Sequence, residues 1–226
     1  MSYNIHMTSE QLRQARFKQG QTQQQVAARL GVTQAYYSML ESGARKPSAE
    51  LARKLIREYH VSPVVLPVSE TTMLNPTPAF LARELAALDY PGFAHLRRGS
   101  KKVNPAQFLL LALKQNNLEA RVAEGLPWLV FRYPDMDFRW LTAQARMNNL
   151  QNRLGFTVTL AKIAGHNADL EGPEQVLTES KLAKEDTFCR ELNEPERRWL
   201  RENRSEEARQ WNLLSDLRSD QLRYVA

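Results

Sequence analysis

The placement of threonine and glycine between positions 20 and 43 constrains the fold of this chain more than any other sequence feature. Thr22 precedes the segment QQQVAARL, Gly31 follows it, and Thr33 precedes a second segment, QAYYSMLE. Threonine caps helix N-termini, and glycine favours the left-handed backbone that ends helices. The pattern predicts two short helices joined by a tight turn, which is a helix-turn-helix whose second helix usually enters a DNA groove.

Further helical patterns flank this pair within the first 66 residues. The segment SEQLRQARFKQG predicts a first helix with Ser9 as its N-cap and an end at Gly20. After Pro47, the segment SAELARKLIREYH predicts a fourth helix and VSPVVL a short fifth. Residues 1–66 therefore predict a bundle of five helices.

The run TQQQVAARLGVTQAYYSMLESGARKPS resembles the helix-turn-helix of the Cro/CI-type (XRE) repressor family at most of its diagnostic positions. The resemblance covers residues 8–66 and implies a lambda-repressor-like DNA-binding domain of five helices. It also implies that Arg16 and Glu41 form a structural ion pair between the first and third helices. Gln21 departs from the pattern, because the family commonly has Leu there.

Helical geometry divides the third helix into two faces. Tyr37 and Leu40 are expected to point inward, which leaves four candidate base-reading residues on the outer face: Gln34, Ala35, Ser38 and Met39. Candidate phosphate-binding residues lie at helix starts, at the margin of this face or in the following loop: Gln23, Thr33, Tyr36, Arg45 and Lys46. The alternative for both sets is an ordinary solvated surface.

The distribution of charge agrees with a polyanionic partner. The 226-residue chain has a net charge of +6, and residues 1–66, with nine Lys or Arg and four Asp or Glu, hold +5 of it. A clustered basic surface is typical of nucleic-acid binding, although a solvated basic surface is the alternative.

A linker and a second domain follow. Residues 67–78 are rich in Pro and Thr and predict a semi-extended connector. Residues 79–226 show several helical patterns, so the fold class is all-α with a second, mostly helical domain. Within it, we expect Pro127 to interrupt one helix and Gly155 to end another. The segment FTVTLAKIAG has an ambiguous period, and its context favours a helix.

Residues 173–226 are highly charged and predict four more helices, in PEQVLTESKLAKED, EPERRWLREN, SEEARQWNLLSDL and SDQLRYV. They carry five apolar anchors: Trp199, Leu200, Trp211, Leu213 and Leu214. These side chains are expected to dock on the protein's own core, with a dimer or partner surface as the alternative.

Five aromatic residues cluster within thirteen positions: Trp128, Phe131, Tyr133, Phe138 and Trp140. We expect them to be core, because the flanking helices need apolar faces to bury. The alternative is a sensory ligand pocket with three polar residues beside it: Arg132, Asp135 and Asp137.

No motif indicates catalysis, a metal site or a cofactor. The four histidines are scattered, and Cys189 has no second cysteine with which to form a disulfide or a thiolate metal site. We therefore expect no enzyme activity, no metal and no cofactor, with an enzyme tethered to DNA as the alternative. No apolar run approaches the roughly 18 residues of a membrane span, and the N-terminus lacks a signal-peptide pattern, so we expect a cytoplasmic protein without membrane contact.

Together these features predict a sequence-specific regulator that binds double-stranded DNA. We expect a homodimeric repressor on a palindromic operator, with helix 34–42 in the major groove and residues 79–226 serving dimerisation or signal reception. The alternative is an antitoxin that regulates its own operon and neutralises a toxin through residues 170–226.

Overall fold

The computed structural model describes the backbone of residues 3–68, 76–97 and 102–224, and the side chains of these residues except 3–8 and 168. Residues 3–68 form four α-helices and one 3-10 turn: α1 (Tyr3–Lys18), α2 (Gln23–Leu30), α3 (Gln34–Glu41), α4 (Ala49–Tyr59) and the turn Pro63–Val65. The predicted fifth helix is this single turn. The predicted start of α1 was wrong, because Ser9 lies buried inside a helix that begins at Tyr3. Serine is only mildly unfavourable inside a helix, so it does not force a helix to start there.

Side-chain caps and a left-handed glycine delimit α2 and α3 as the sequence predicts. The Thr22 hydroxyl accepts a hydrogen bond from the Gln25 backbone N–H, and the Gln25 side-chain oxygen accepts one from the Thr22 backbone N–H. Gly31 ends α2 with a φ of 73°, which glycine adopts without steric cost. Thr33 then caps α3 through the Tyr36 N–H. These local bonds set where α2 begins and ends and where α3 begins.

The apolar stripes of these helices close into one small core. Leu12 of α1 packs with residues of α2, α3, α4 and the 3-10 turn, including Val26, Ala27, Leu30, Tyr37, Leu40, Leu51, Leu55 and Val65. Gln21 stands where the family pattern has Leu, and its side-chain oxygen accepts a bond from the Tyr59 hydroxyl at 3.0 Å. The polar substitution thus gains a specific partner at the edge of this core.

The second part of the chain is also mainly helical, which confirms the all-α class. Its α-helices are α5 (Pro78–Ala87), α6 (Pro105–Leu113), α7 (Ala120–Arg132), α8 (Phe138–Met147), α9 (Gln151–Gly165), α10 (Glu171–Glu179), α11 (Glu194–Asn203) and α12 (Glu206–Gln210). Single 3-10 segments occur at Pro91–Leu96, Ala168–Leu170 and Ser219–Gln221. Two short parallel strands, β1 (Asp186–Thr187) and β2 (Leu213–Leu214), pair with Asp186 opposite Leu213.

Helix α9 is the centre of the second core. Eleven of its fifteen residues are buried, from Gln151 to Ala161. A helix that is covered on all sides shows no amphipathic period, which explains the ambiguity of its sequence. The expected end at Gly155 was wrong: α8 ends at Met147, and α9 runs through this glycine.

Pro127 does not interrupt its helix either, because α7 continues through it to Arg132. Proline removes one backbone hydrogen bond and strains the preceding turn, at a cost of about 3 kcal/mol in a helix interior. The neighbouring side chains Leu126, Trp128 and Leu129 are buried in the core around α9. Burial of this apolar face offsets the local cost.

The charged C-terminal region is less helical than its pattern predicts. Residues 181–185 follow α10 without helix, α12 stops at Gln210, and Asn212 has a φ of 49° before β2 begins. Arg153 of α9 is buried and binds β1 through the Asp186 carboxylate at 2.8 and 2.9 Å. It also donates to the carbonyls of Leu113 and Gln115 at the end of α6. A single buried guanidinium therefore joins three elements.

The two parts of the chain contact each other beside the Pro63–Val65 turn. The Asn104 side chain caps α6 through its oxygen, while its amide donates to the carbonyls of Val64 and Leu66 at 3.2 and 2.6 Å. Gln11 of α1 donates to the carboxylate of Asp135, and Val64 packs against the second core. Most of the predicted linker, residues 69–75, lies outside the described residues, and the proposed domain boundaries at 66 and 79 stay a prediction.

Candidate DNA interface

The exposed face of α3 carries the predicted base-reading residues. Gln34 and Ala35 are exposed, Ser38 is half-buried, and Met39 keeps 38% of its surface accessible. Tyr37 and Leu40 point into the core. The helix therefore packs with one side and presents the other to solvent.

A chain of hydrogen bonds connects this face to the ion pair beneath it. Gln34 Nε2 donates to Gln23 Oε1 at 3.0 Å, and Gln23 Nε2 donates to Glu41 Oε2 at 2.8 Å. The same Glu41 carboxylate accepts from Arg16 Nε at 2.7 Å and from Nη2 at 3.1 Å. Gln34 is thus oriented by its neighbours before any ligand arrives, and less rotamer freedom is lost on binding.

The Arg16–Glu41 pair is nearly enclosed, with side-chain exposures of 10% and 5%. Burial of the carboxylate favours its neutral form. The hydrogen bonds from Arg16, Gln23 and Tyr37, with the charge of Arg16, outweigh burial and hold the pKa of Glu41 below its ordinary value. A satisfied pair of this kind fixes α1 against the end of α3.

The loop after α3 presents two exposed cations, Arg45 and Lys46. Its backbone is tied to α3 at these two residues: Arg45 N–H donates to Met39 O at 3.1 Å, and the Tyr36 hydroxyl donates to Lys46 O at 3.4 Å. No carboxylate lies within ion-pair distance of Arg45 or Lys46 among the residues that the structure describes. The first turns of α2 and α3 also lack acidic residues, so their N-terminal N–H groups can attract anions.

A comparison with protein-family models matches residues 12–66 to the family described as helix-turn-helix. This region is an XRE-type helix-turn-helix domain. The family consists of DNA-binding transcription regulators, so the match supports DNA binding and a role in transcription regulation. The comparisons with curated proteins and with solved structures found no match.

The second domain brings two carboxylates close to the loop of the helix-turn-helix domain. Asp135 and Asp137 border a cavity of about 90 Å³ that Arg45 and Lys46 also line. The sequence pattern indicates a role for these acids only as polar groups of a sensory pocket. More than 85 residues separate them from the loop, and no local pattern could have signalled this proximity.

The aromatic cluster is divided between core and partial exposure. Trp128 and Tyr133 are buried, whereas Phe131, Phe138 and Trp140 lie at the core margin. The Tyr133 hydroxyl donates to Leu88 O at 2.8 Å, and burial raises the pKa of Tyr133 above its ordinary value. These contacts favour the interpretation as core.

Within the described ranges, no group of three or more His, Cys, Asp or Glu is placed to hold a metal ion. None of the helices described for this chain combines the length and apolar character that crossing a membrane requires.

Proposed function

We propose that this protein is a sequence-specific regulator that binds double-stranded DNA through α3 and represses transcription as a homodimer on a palindromic operator. The observation that carries the proposal is the solvent-facing side of α3, on which Gln34 is held by Gln23. A side chain with a fixed orientation beside a groove discriminates between bases better than a mobile one.

The residue types on this face suit the major groove. The Gln34 amide can make paired hydrogen bonds with an adenine edge, Ser38 can donate to or accept from several bases, and Ala35 with Met39 can contact a thymine methyl. Phosphate contacts would come from Thr33 and the α3 N-terminus, from Arg45 and Lys46, and from Tyr36 and Gln23 at the margin.

The reason for a dimer is energetic. One recognition helix reads only a few base pairs, and each wrong pair costs about 1–3 kcal/mol. Two helices placed one helical turn apart on the DNA, about 34 Å, roughly double that discrimination.

The test is recovery of bound DNA from random fragments by the full chain. Gln34→Ala and Ser38→Ala should broaden the recovered sequences while the fold is retained. Gln210→Ala, an exposed residue of the same type in the second domain, is the matched control. Unchanged sequence preference in both α3 variants would show that this face does not read the bases.

The loop cations are tested separately through salt dependence. Replacing Arg45 and Lys46 with Gln should weaken binding to all DNA sequences about equally. It should also reduce the slope of log affinity against log salt concentration by about 1 for each lost phosphate contact. An unchanged slope would remove this loop from the phosphate contacts.

The antitoxin alternative is favoured by one observation on α11. Trp199 is 53% exposed on this charged helix, as expected for a side chain that contacts a partner protein. Deleting residues 170–226 is a poor test, because it removes Trp211 from the second core. Trp199→Ala is sharper: co-purification with the product of the neighbouring gene should be lost while the fold persists. Unchanged co-purification would exclude this surface.

A further inference from the structure

A cleft of about 640 Å³ lies between the helix-turn-helix domain and the second domain. Lys18, at the end of α1, and His60, at the end of α4, line one wall. Asp89, Lys102 and Arg132 of the second domain line the other. The volume is within the range of small-molecule sites, which are common at domain interfaces.

The charges in this cleft are unbalanced. The Asp89 carboxylate is already neutralised, because Lys102 Nζ lies 2.7 Å and Arg97 Nε 3.6 Å from its oxygens. Lys18 and Arg132 have no ion-pair partner in the part of the chain that the structure describes. A concave surface with uncompensated cations concentrates anions.

Arg132 is positioned by a rigid neighbour. Its guanidinium lies 5.5 Å from the centre of the Tyr133 ring, and the Tyr133 hydroxyl is fixed to the Leu88 carbonyl. The ring cannot move without breaking a buried hydrogen bond, so it supports the guanidinium at the cleft wall. A guanidinium suits phosphate, because it donates two parallel hydrogen bonds to neighbouring oxygens.

One wall of the cleft is separated from the Arg45–Lys46 loop by the length of α4. Helix α4 begins at Ala49, just after the Arg45–Lys46 loop, and ends at Tyr59 beside the cleft. Eleven helical residues span about 16 Å. His60, at the cleft, and the Arg45–Lys46 loop are therefore at opposite ends of this helix.

We propose that this cleft binds a small phosphate-bearing anion, contacted by Lys18 and His60 from one side and by Arg132 from the other. Because these groups come from both domains, the ligand stabilises the docked arrangement over any arrangement in which the walls separate. An effect of the ligand on operator affinity rests on the proposed function, whereas its binding does not.

The experiment is titration calorimetry on the full chain without DNA, at ionic strength held constant with chloride. The probes are inorganic phosphate, inorganic pyrophosphate and a nucleoside monophosphate, which separate a free phosphate from a nucleotide source. The test variant is K18Q/R132Q, and the control is R139Q/R198Q, which removes two exposed cations elsewhere. All four side chains are exposed, so both variants should fold.

At least one probe should saturate the wild type and the control, and its affinity should fall at least tenfold in K18Q/R132Q. Equal weakening in the two double variants, or the absence of saturation with every probe, would overturn the proposal. A parallel titration with duplex DNA lacking an operator identifies the other source of phosphate. If only duplex binding is lost in K18Q/R132Q, the cleft is a nucleic-acid surface and the proposal fails.

Discussion

The indole ring of Trp211 lies directly against Gly155, so that a Cβ added to this glycine would come 2.2 Å from Cζ3 of the ring. The indole N–H donates to the Thr159 hydroxyl at 2.8 Å, four residues further along α9. Gly155 is therefore the point on the central helix where the C-terminal segment packs.

Replacing Gly155 with Ala should destabilise the second domain. The methyl group overlaps a fully buried ring, and overpacking of this kind typically costs about 1–3 kcal/mol. Urea unfolding followed by tryptophan fluorescence measures the effect, since all four tryptophans lie between positions 128 and 211. Gly172→Ala in α10 is the control, because no heavy atom beyond its chain neighbours and its own helix backbone lies within 4 Å of the added Cβ. Equal stability of the two variants would contradict the packing described.

The two tryptophans of the C-terminal region should respond differently to truncation. Trp211→Ala empties a buried site and should cost about 3–5 kcal/mol. Trp199→Ala removes an exposed side chain and should change stability by less than about 0.5 kcal/mol. Thermal or urea unfolding of the two variants provides the comparison, and a large loss for Trp199→Ala would indicate a structural role for α11.

The Arg16–Glu41 pair should make the helix-turn-helix domain sensitive to acid. The pKa of Glu41 is depressed in the folded state. Its contribution to the free energy of unfolding is therefore complete above the unfolded pKa of about 4.3 and is lost as pH falls through the folded pKa. Amide hydrogen exchange in α2 and α3 of the full chain measures this, because the N-terminal domain has no tryptophan.

Glu41→Gln should remove the part of the domain's acid sensitivity that comes from protonation of Glu41. Arg16→Ala should cost about 3–5 kcal/mol at neutral pH, because it leaves a buried carboxylate without its partner. Identical acid profiles for the wild type and Glu41→Gln would mean that another group controls acid sensitivity.

Asn104 should couple the two domains. Asn104→Asp keeps the acceptor that caps α6 but replaces the donor to the Val64 and Leu66 carbonyls with a second acceptor. Leaving buried carbonyls unsatisfied costs about 1–3 kcal/mol. We expect faster hydrogen exchange at the Pro63–Val65 turn with little change in α9. Thr77→Ala, which removes the cap of α5, is the control because it does not touch this interface.

The acids beside the loop should weaken DNA binding if the proposed function is right. Asp137→Asn retains a side-chain cap for α8 and removes one negative charge from the cavity shared with Arg45 and Lys46. At low salt we expect DNA affinity to rise about two- to fivefold, with the gain vanishing at high salt because of screening. Asp216→Asn, an exposed acid elsewhere, should leave affinity unchanged. A gain that persists in high salt would point to a conformational cause.

Local signals predicted the helix-turn-helix well because its geometry is set by neighbours in sequence. Thr22, Thr33 and Gly31 act within three or four residues of their partners, and the inward placement of Tyr37 and Leu40 follows from helical periodicity. The second domain was harder to predict because its interactions are long-range. The Gly155–Trp211 contact joins residues far apart in sequence, and α9 is enclosed on every side.

The sequence by itself determined helix α3, its N-cap and the identity of its exposed side chains, because these depend on local backbone chemistry and a 3.6-residue period. Only the tertiary structure decided that α9 continues through Gly155, that Trp211 is core while Trp199 is exposed, and that Asp135 and Arg132 face the N-terminal domain. Those features depend on which surfaces from distant parts of the chain pack together. The local sequence around a glycine, a tryptophan or a charged residue is the same whether or not a distant segment packs against it.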